Sequence, residues 1–285
     1  MFLCKFLRQT PLLFMLTAIG LLSLSVTAKA ADPKTLAGIP ASGQWQCDEC
    51  DFSKADLTAY PNLKNGTFVD CNFAGANMEG MDLSGIKLQR SDFRNAKLKN
   101  ANFSGAEIYS SSFEEADLTY AQFTGASLSN VFFSFSKAPS SKFDKAIISG
   151  SVWKDAELDS ANFSAAKLAE GDFTHANLRR ANFTGADLSG AVLTNANMTK
   201  AILTKANLTG ADLTSAILNQ VNMEEANLTK AMVREASMIG VSYGGANFTD
   251  AKFEGTVMRP IDTGIPFYCR TETPDGEIKS NPLCK

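Results

Sequence analysis

The feature that most limits how this chain can fold is a beat of five residues. In "ANFTGADLSGAVLTNANMTKAILTKANLTGADL" a small residue, a polar residue, a large apolar residue and two further polar residues recur without a break. The large apolar, central position falls at Leu63, Phe68, Phe73, Met78 and Leu83. It continues in one register to Phe248, Phe253 and Met258, forty units in all. Cys47, Phe52 and Leu57 hold the same beat one residue out of step, which places a single inserted residue near Tyr60 and Pro61. A period of five matches neither the 3.6 of a helix nor the 2 of a plain strand. A chain presenting an apolar group at every fifth position over this length buries them all only by winding into a coil whose turns stack on one another.

On these residues the chain resembles the pentapeptide-repeat family, whose consensus is A(D/N)LXX; "ANLTGADL" from Ala206 to Leu213 is a near-perfect example. The resemblance covers roughly residues 47 to 258. It implies an all-β fold, a right-handed quadrilateral parallel β-helix with four pentapeptides per coil. Forty units then make about ten coils, and strands about 4.8 Å apart give a rod roughly 50 Å long. Grouping central residues twenty apart tests this on the chain itself. One column reads Phe73, Phe93, Phe113, Phe133, Trp153 and Phe173 before turning mostly aliphatic, and the column opposite carries Phe103, Phe123, Phe143, Phe163 and Phe183. The other two are almost wholly Leu, Ile and Met. Facing aromatic columns with aliphatic columns between them suit a narrow, filled core. The small position is Ala in most units, with Ser111, Ser141, Ser151 and Gly171 among the exceptions. Its smallness is a packing demand, because it and the central residue both point inward.

The regions outside the beat read differently. Lys5 and Arg8, the apolar "PLLFMLTAIGLLSLSV" and the small-residue "AKA" at Ala28 to Ala30 form the pattern of a secretory signal peptide. The apolar run is about 16 residues, short of the ~20 of a membrane span. The expected layout is a signal peptide at 1–30, an N-terminal extension at 31–46, the repeat at 47–258 and a C-terminal cap at 259–285, with the product exported to the periplasm or beyond. After removal of Lys5, Arg8 and Lys29 the chain carries 24 basic and 30 acidic side chains, net −6. That is ordinary solubility charge and no footprint for nucleic acid; no membrane association is expected after cleavage.

Five cysteines remain, Cys47, Cys50, Cys71, Cys269 and Cys284, all at the two ends of the mature chain. Export makes disulfides available. Cys50 and Cys71 both occupy the small inward position, four pentapeptides and one inserted residue apart, which favours a bridge between adjacent coils. Cys47–Cys71 and Cys47–Cys50 compete with it, as do buried thiols standing in for alanine. A Cys269–Cys284 bridge would close a loop of about fifteen residues, worth ~3 kcal/mol. Its surroundings, Cys, Thr, Pro-Asp-Gly, Cys, are similar to the C-terminal tail of exported pentapeptide-repeat proteins.

An enzyme needs a nucleophile, base or metal constellation, and none is legible; no cofactor is expected. The one histidine, His175, falls at an outward repeat position. Asp187, Asn207 and Asp212 recur with the beat because the corners want a short polar side chain that bonds nearby backbone. The sequons at Asn182, Asn207 and Asn227 are by-products of the same pattern. "CDEC" has no second CxxC or histidine pair beside it, which suits zinc poorly.

The reading that remains is a non-enzymatic extracytoplasmic scaffold or protein-interaction module, with a protein partner or a second copy as its ligand. The alternatives are a DNA mimic acting on gyrase, the best-known branch of the family, and a secreted effector. Glu114, Glu115, Asp155, Glu235 and Glu254 offer acidic charge for a mimic, but Arg94, Lys154 and Arg234 interrupt it. The contact surface is expected at "SNVFFSFSKAPSS". There Phe133 and Phe143 keep the beat, Ala138 undersizes a central site and predicts a cavity or dent, and Phe132 and Phe135 turn outward. Val152 stacks one coil on from Phe132, Tyr120 and Pro139 lie on the next face, and Glu115 and Asp155 form the rim.

Overall fold

The computed structural model describes residues 45–60, 63–261, 264–282 and 284. The expected signal peptide lies outside the described residues, as does the extension up to residue 44. The described chain is a four-sided, all-β parallel solenoid. Its bridges join residues twenty apart, from Asn72↔Asp92 to Met232↔Lys252. Across the first coil the step is one residue longer, with Cys47↔Phe68, Asp51↔Asn72 and Asp56↔Asn77 in register. The Cys47–Leu57 units therefore seat on the next coil, and the solenoid has about eleven coils rather than the ten of the in-register units alone.

Each side of the coil carries one pentapeptide. The first side holds a six-stranded parallel sheet made of β1 (Gln46–Asp48), β2 (Thr67–Val69), β3 (Lys87–Gln89), β4 (Glu107–Tyr109), β5 (Ser127–Ser129) and β6 (Ile147–Ser149). The third side ends in β7 (Ser237–Ile239) paired with β8 (Val257–Arg259). Most other units contact their neighbours through single bridges, because each corner interrupts the extended backbone after two or three residues.

The usual corner is a four-residue turn. The N–H of the next small residue donates to the central carbonyl, as from Ala76 to Phe73 at 3.0 Å and from Ala211 to Leu208 at 3.0 Å. The third turn residue has a positive φ, the mark of a type II turn. Glycine is not required there: Phe135 and Tyr120 both sit at φ 59. A left-handed conformation costs an L-residue about 1–2 kcal/mol, and the N–H it directs along the rod offsets this by bonding the next coil, Phe135 to Lys154 O at 2.9 Å. Ahead of the corner, an Asp or Asn oxygen takes the N–H two residues on, as Asp212 does from Thr214 at 3.0 Å and Asn207 from Thr209 at 3.2 Å. Asp187 holds Ser189 the same way at 3.1 Å. These are structural caps.

The core is two interlocked aromatic stacks. Phe73, Phe93 and Phe113 stack at 4.6 and 4.8 Å between centroids, and Phe103, Phe123 and Phe143 at 4.7 and 4.8 Å. The two stacks meet edge to face, for example Phe113–Phe123 at 6.1 Å. Stacking and T-shaped contact are the favourable ring geometries, and alternation of coils delivers both to the rings from Phe73 to Phe173 and from Phe103 to Phe183. Ala138 is fully buried, and the largest core side chain, Trp153, stacks on Phe133 of the preceding coil at 4.0 Å.

Both ends are closed. Trp45 lies over the first coil, 5.5 Å from the rings of Phe52 and Phe68. At the other end Phe267 and Glu272 continue the bridges of the first two sides. A short antiparallel pair, β9 (Thr271–Glu272) and β10 (Ile278–Lys279), then folds back, tied by Cys269–Cys284 with Cα atoms 5.4 Å apart.

Candidate interaction surface and the two ends

The outward apolar residues of 120–152 run from the second side across the third to its far corner, at mid-length of the solenoid. Phe132 and Val152 occupy equivalent sites on the second side and are in register through a parallel bridge. Tyr120 and Pro139 stand at the following corner, between the third and fourth sides, joined by a backbone hydrogen bond of 3.1 Å. Phe135 stands on the corner between the second and third sides. Relative exposures of 43% for Phe132, 58% for Phe135 and 53% for Tyr120 place these rings in solvent, while Val152 and Pro139 are half-buried. The corner fixes Phe135: its positive φ and its bond to the next coil hold the side chain outward.

The surroundings are charged and unevenly paired. Glu115, Phe135, Asp155 and His175 are successive residues of one corner column, so carboxylates flank Phe135 on both sides. Among the described residues, neither Glu115 nor Asp155 has an ion pair within 4 Å, whereas Arg94 is held by Asp92 at 2.6 Å and Lys154 by Asp172 at 3.1 Å. Beside Phe132, a shallow depression of about 300 Å³ is bordered by Arg90, Asp92, Arg94 and Glu114. His175 is exposed, as its repeat position demands.

The N-terminal cysteines correct the favoured pairing. The bridge joins Cys47 and Cys50, Cα atoms 5.9 Å apart across one corner, and Cys71 is a buried free thiol rather than the partner of Cys50. Two cysteines on one corner are brought together by local backbone, before any coil stacks on them. Cys71 donates instead to the carbonyls of Val69 at 3.3 Å and Cys47 at 3.4 Å. Burial pushes its thiol up to about 11.

Cys71 belongs to an arrangement that sequence reasoning missed. In the coils of β2–β6 the first-side corner lacks the usual turn bond. The small residues that follow are Cys71, Ser91, Ser111, Val131 and Ser151, one above another. Three of the five N–H groups turn to a hydroxyl of the next coil: Cys71 to Ser91 Oγ at 3.3 Å, Ser91 to Ser111 Oγ at 3.1 Å and Val131 to Ser151 Oγ at 3.4 Å. At Gly171 the usual corner returns, donating to Leu168 O at 3.0 Å. The sequence carries its signal as a run of non-alanine small sites in one column. A second set of exposed apolar residues, Ile217, Ile239, Val257 and Ile261, lies towards the C-terminal end of the third side. An apolar cavity of about 180 Å³ lies under the tail, walled by Tyr243, Phe248, Phe253, Met258 and Tyr268.

Among the described residues no helix is long and apolar enough to cross a membrane. Family comparison matches "Pentapeptide repeats", in eight copies, over residues 156–195, 172–210 and 206–242, and "Pentapeptide repeat region" over 46–123. No curated protein matches the chain. Among solved structures, it is similar to HetL, a pentapeptide repeat protein involved in heterocyst differentiation regulation from Nostoc sp. strain PCC 7120. The identity there is 24%, over 74% of this chain and 92% of that one, with a TM-score of 0.38. A pentapeptide repeat protein from the Arabidopsis thaliana thylakoid lumen is 40% identical over 33% of this chain and 65% of its own, with a TM-score of 0.32. QnrB1, a plasmid-mediated fluoroquinolone resistance protein, is 22% identical over 65% and 84%, with a TM-score of 0.37.

Proposed function

The chain belongs to the pentapeptide-repeat family, and from that premise we propose that it is a non-enzymatic, extracytoplasmic scaffold that binds a protein partner through the apolar corner around Phe135. The observation that carries the reading is the exposure of three aromatic rings, Phe132, Phe135 and Tyr120, on neighbouring coils at mid-length of the rod. Solvent-exposed rings that cluster on a rigid backbone mark contact surfaces, and aromatic anchors dominate interface energetics. The flanking, unpaired Glu115 and Asp155 specify the partner's chemistry: apolar at the centre and basic at the rim. Export is supported by the N-terminal pattern of Lys5, Arg8 and "AKA" and by two disulfides, which persist in oxidising compartments.

Crosslinking in the exported compartment, with a photoreactive residue in place of Tyr120, tests this directly. A specific adduct is expected, abolished by the double change Phe132→Ser and Phe135→Ser and weakened at high salt. The same adduct in the double variant, or none in the parent, would sink the reading.

A further inference from the structure

The densest reactive chemistry outside the apolar corner is at the first coil. Cys47 and Cys50 flank a corner at which Glu49 takes φ 55. Cys71 enters from the next coil, in the same small-residue column as Cys50. The three sulfurs lie within 4.8 Å of one another, and the three residues are 3%, 1% and 2% exposed. We propose that, once the Cys47–Cys50 disulfide is reduced, these three thiolates form a binding site for one soft, thiophilic d10 metal ion, with Cu(I) the best match.

Three features point the same way. A thiolate–metal bond of about 2.3 Å sets trigonal sulfurs about 4 Å apart; Cys71 stands within 4.8 Å of the bridged pair, and opening the bond lets the sulfurs of Cys47 and Cys50, whose Cα atoms are 5.9 Å apart, separate to that spacing. Among the described residues no fourth Cys, His, Asp or Glu joins the cluster. A closed zinc site is four-coordinate, whereas soft thiolate ligands select Cu(I). The third feature is the choice of sulfur itself. Ser91 and Ser111 fill the same column and donate to the same kind of carbonyl that Cys71 does, Ser91 to Gln89 at 3.2 Å and Ser111 to Tyr109 at 3.1 Å. A hydroxyl meets the structural need of the corner, so the sulfur of Cys71, which is in no disulfide, serves something a hydroxyl does not. The missing third ligand in "CDEC" is supplied by stacking, 21 residues beyond Cys50 in the chain.

The chemistry balances with a dithiol as reductant. Its two sulfurs close into a disulfide as the Cys47–Cys50 bond opens to two thiols. Metal binding then replaces the protons of Cys47, Cys50 and Cys71, which pass to solvent.

The full-length exported protein, reduced with a dithiol and freed of it anaerobically, is titrated with Cu(I) against a bicinchoninate competitor. One Cu(I) per chain is expected, with thiolate–Cu(I) luminescence. Cys71→Ser, the residue its column already uses, should keep the parent's melting temperature yet lose at least the ~100-fold in affinity that even supporting groups around a metal contribute. Cys47→Ser is the second variant, in case the first perturbs the corner, and carries the same expectation. The unreduced protein should take up none. Failure to bind one equivalent, equal binding by both variants, or equal binding by the unreduced protein would overturn the proposal.

Discussion

At the scale of single residues, the chain shows how burial silences a reactive group. Cys71 is a thiol beside a disulfide, yet its raised titration, caused first by desolvation, leaves it almost wholly protonated at neutral pH. Native protein should therefore resist iodoacetamide at pH 8 at Cys71 and accept one equivalent there only in denaturant, as read by peptide mapping. The sign of the linked stability follows. A thiol whose folded value lies above its unfolded ~8.5 favours the fold below that value, and the contribution is lost as pH rises towards 11. The melting temperature should thus decline above about pH 9, and Cys71→Ser should flatten that decline. The pairing itself was not legible, because Cys47, Cys50 and Cys71 all fall within reach of one another and spacing alone does not rank them. The corner decides it.

At the scale of the element, the five-residue beat made the core legible and the corners only half so. Phe73 to Phe173 and Phe103 to Phe183 could be placed in facing columns because every inward site is large or small by a fixed rule. The two kinds of corner share that rule and differ only in the small residue that follows, so Ser111 and Ser151, in one column with Ser91, read as exceptions. They are acceptors for N–H groups that would otherwise be buried without a partner. Ser111→Ala therefore restores the commonest repeat residue and yet should destabilise. The cost is about 1–3 kcal/mol, the penalty for an unsatisfied buried donor at Ser91, measured by denaturant unfolding. Ala191→Ser, at a corner that keeps its own turn bond, should gain nothing. Phe132 and Phe135 were legible for the opposite reason: the register turns them outward, and nothing in the beat explains apolar rings there.

At the scale of the whole molecule, stability is spread along the rod, and the ends are its weak points. Arg90 bonds Asp70 near one end and Arg270 bonds Asp250 near the other, each through two nitrogens, at 2.6–2.7 Å. Those guanidinium contacts hold both carboxyls below the usual range. A lowered value contributes stability that is complete above the unfolded ~3.9 and is lost as pH falls through the folded value. The melting temperature should be level from neutral pH to about 5 and drop below about 4. Because the terminal coils are packed on one side only, protection from hydrogen exchange, corrected for the intrinsic rate, should fall first in acid at residues 46–60 and 264–272, and a uniform fall would contradict an end-first picture. The Cys269–Cys284 bridge closes only the tail loop, so its removal should expose the tail's amides while leaving the exchange of the central coils unchanged.

The bonds between coils, such as Phe135 N–H to Lys154 O, run along the length of the rod. Both disulfides are local, within one corner and within the tail, and neither laces the body of the rod. A pull applied at the two termini therefore loads one layer of bonds at a time, like a zip fastener rather than a strap. Each coil that lets go frees twenty residues, about 65 Å of extended chain. The molecule should lengthen in regular, low-force steps of that size, a spring that pays out its own filament and rewinds on the template of the coils still standing.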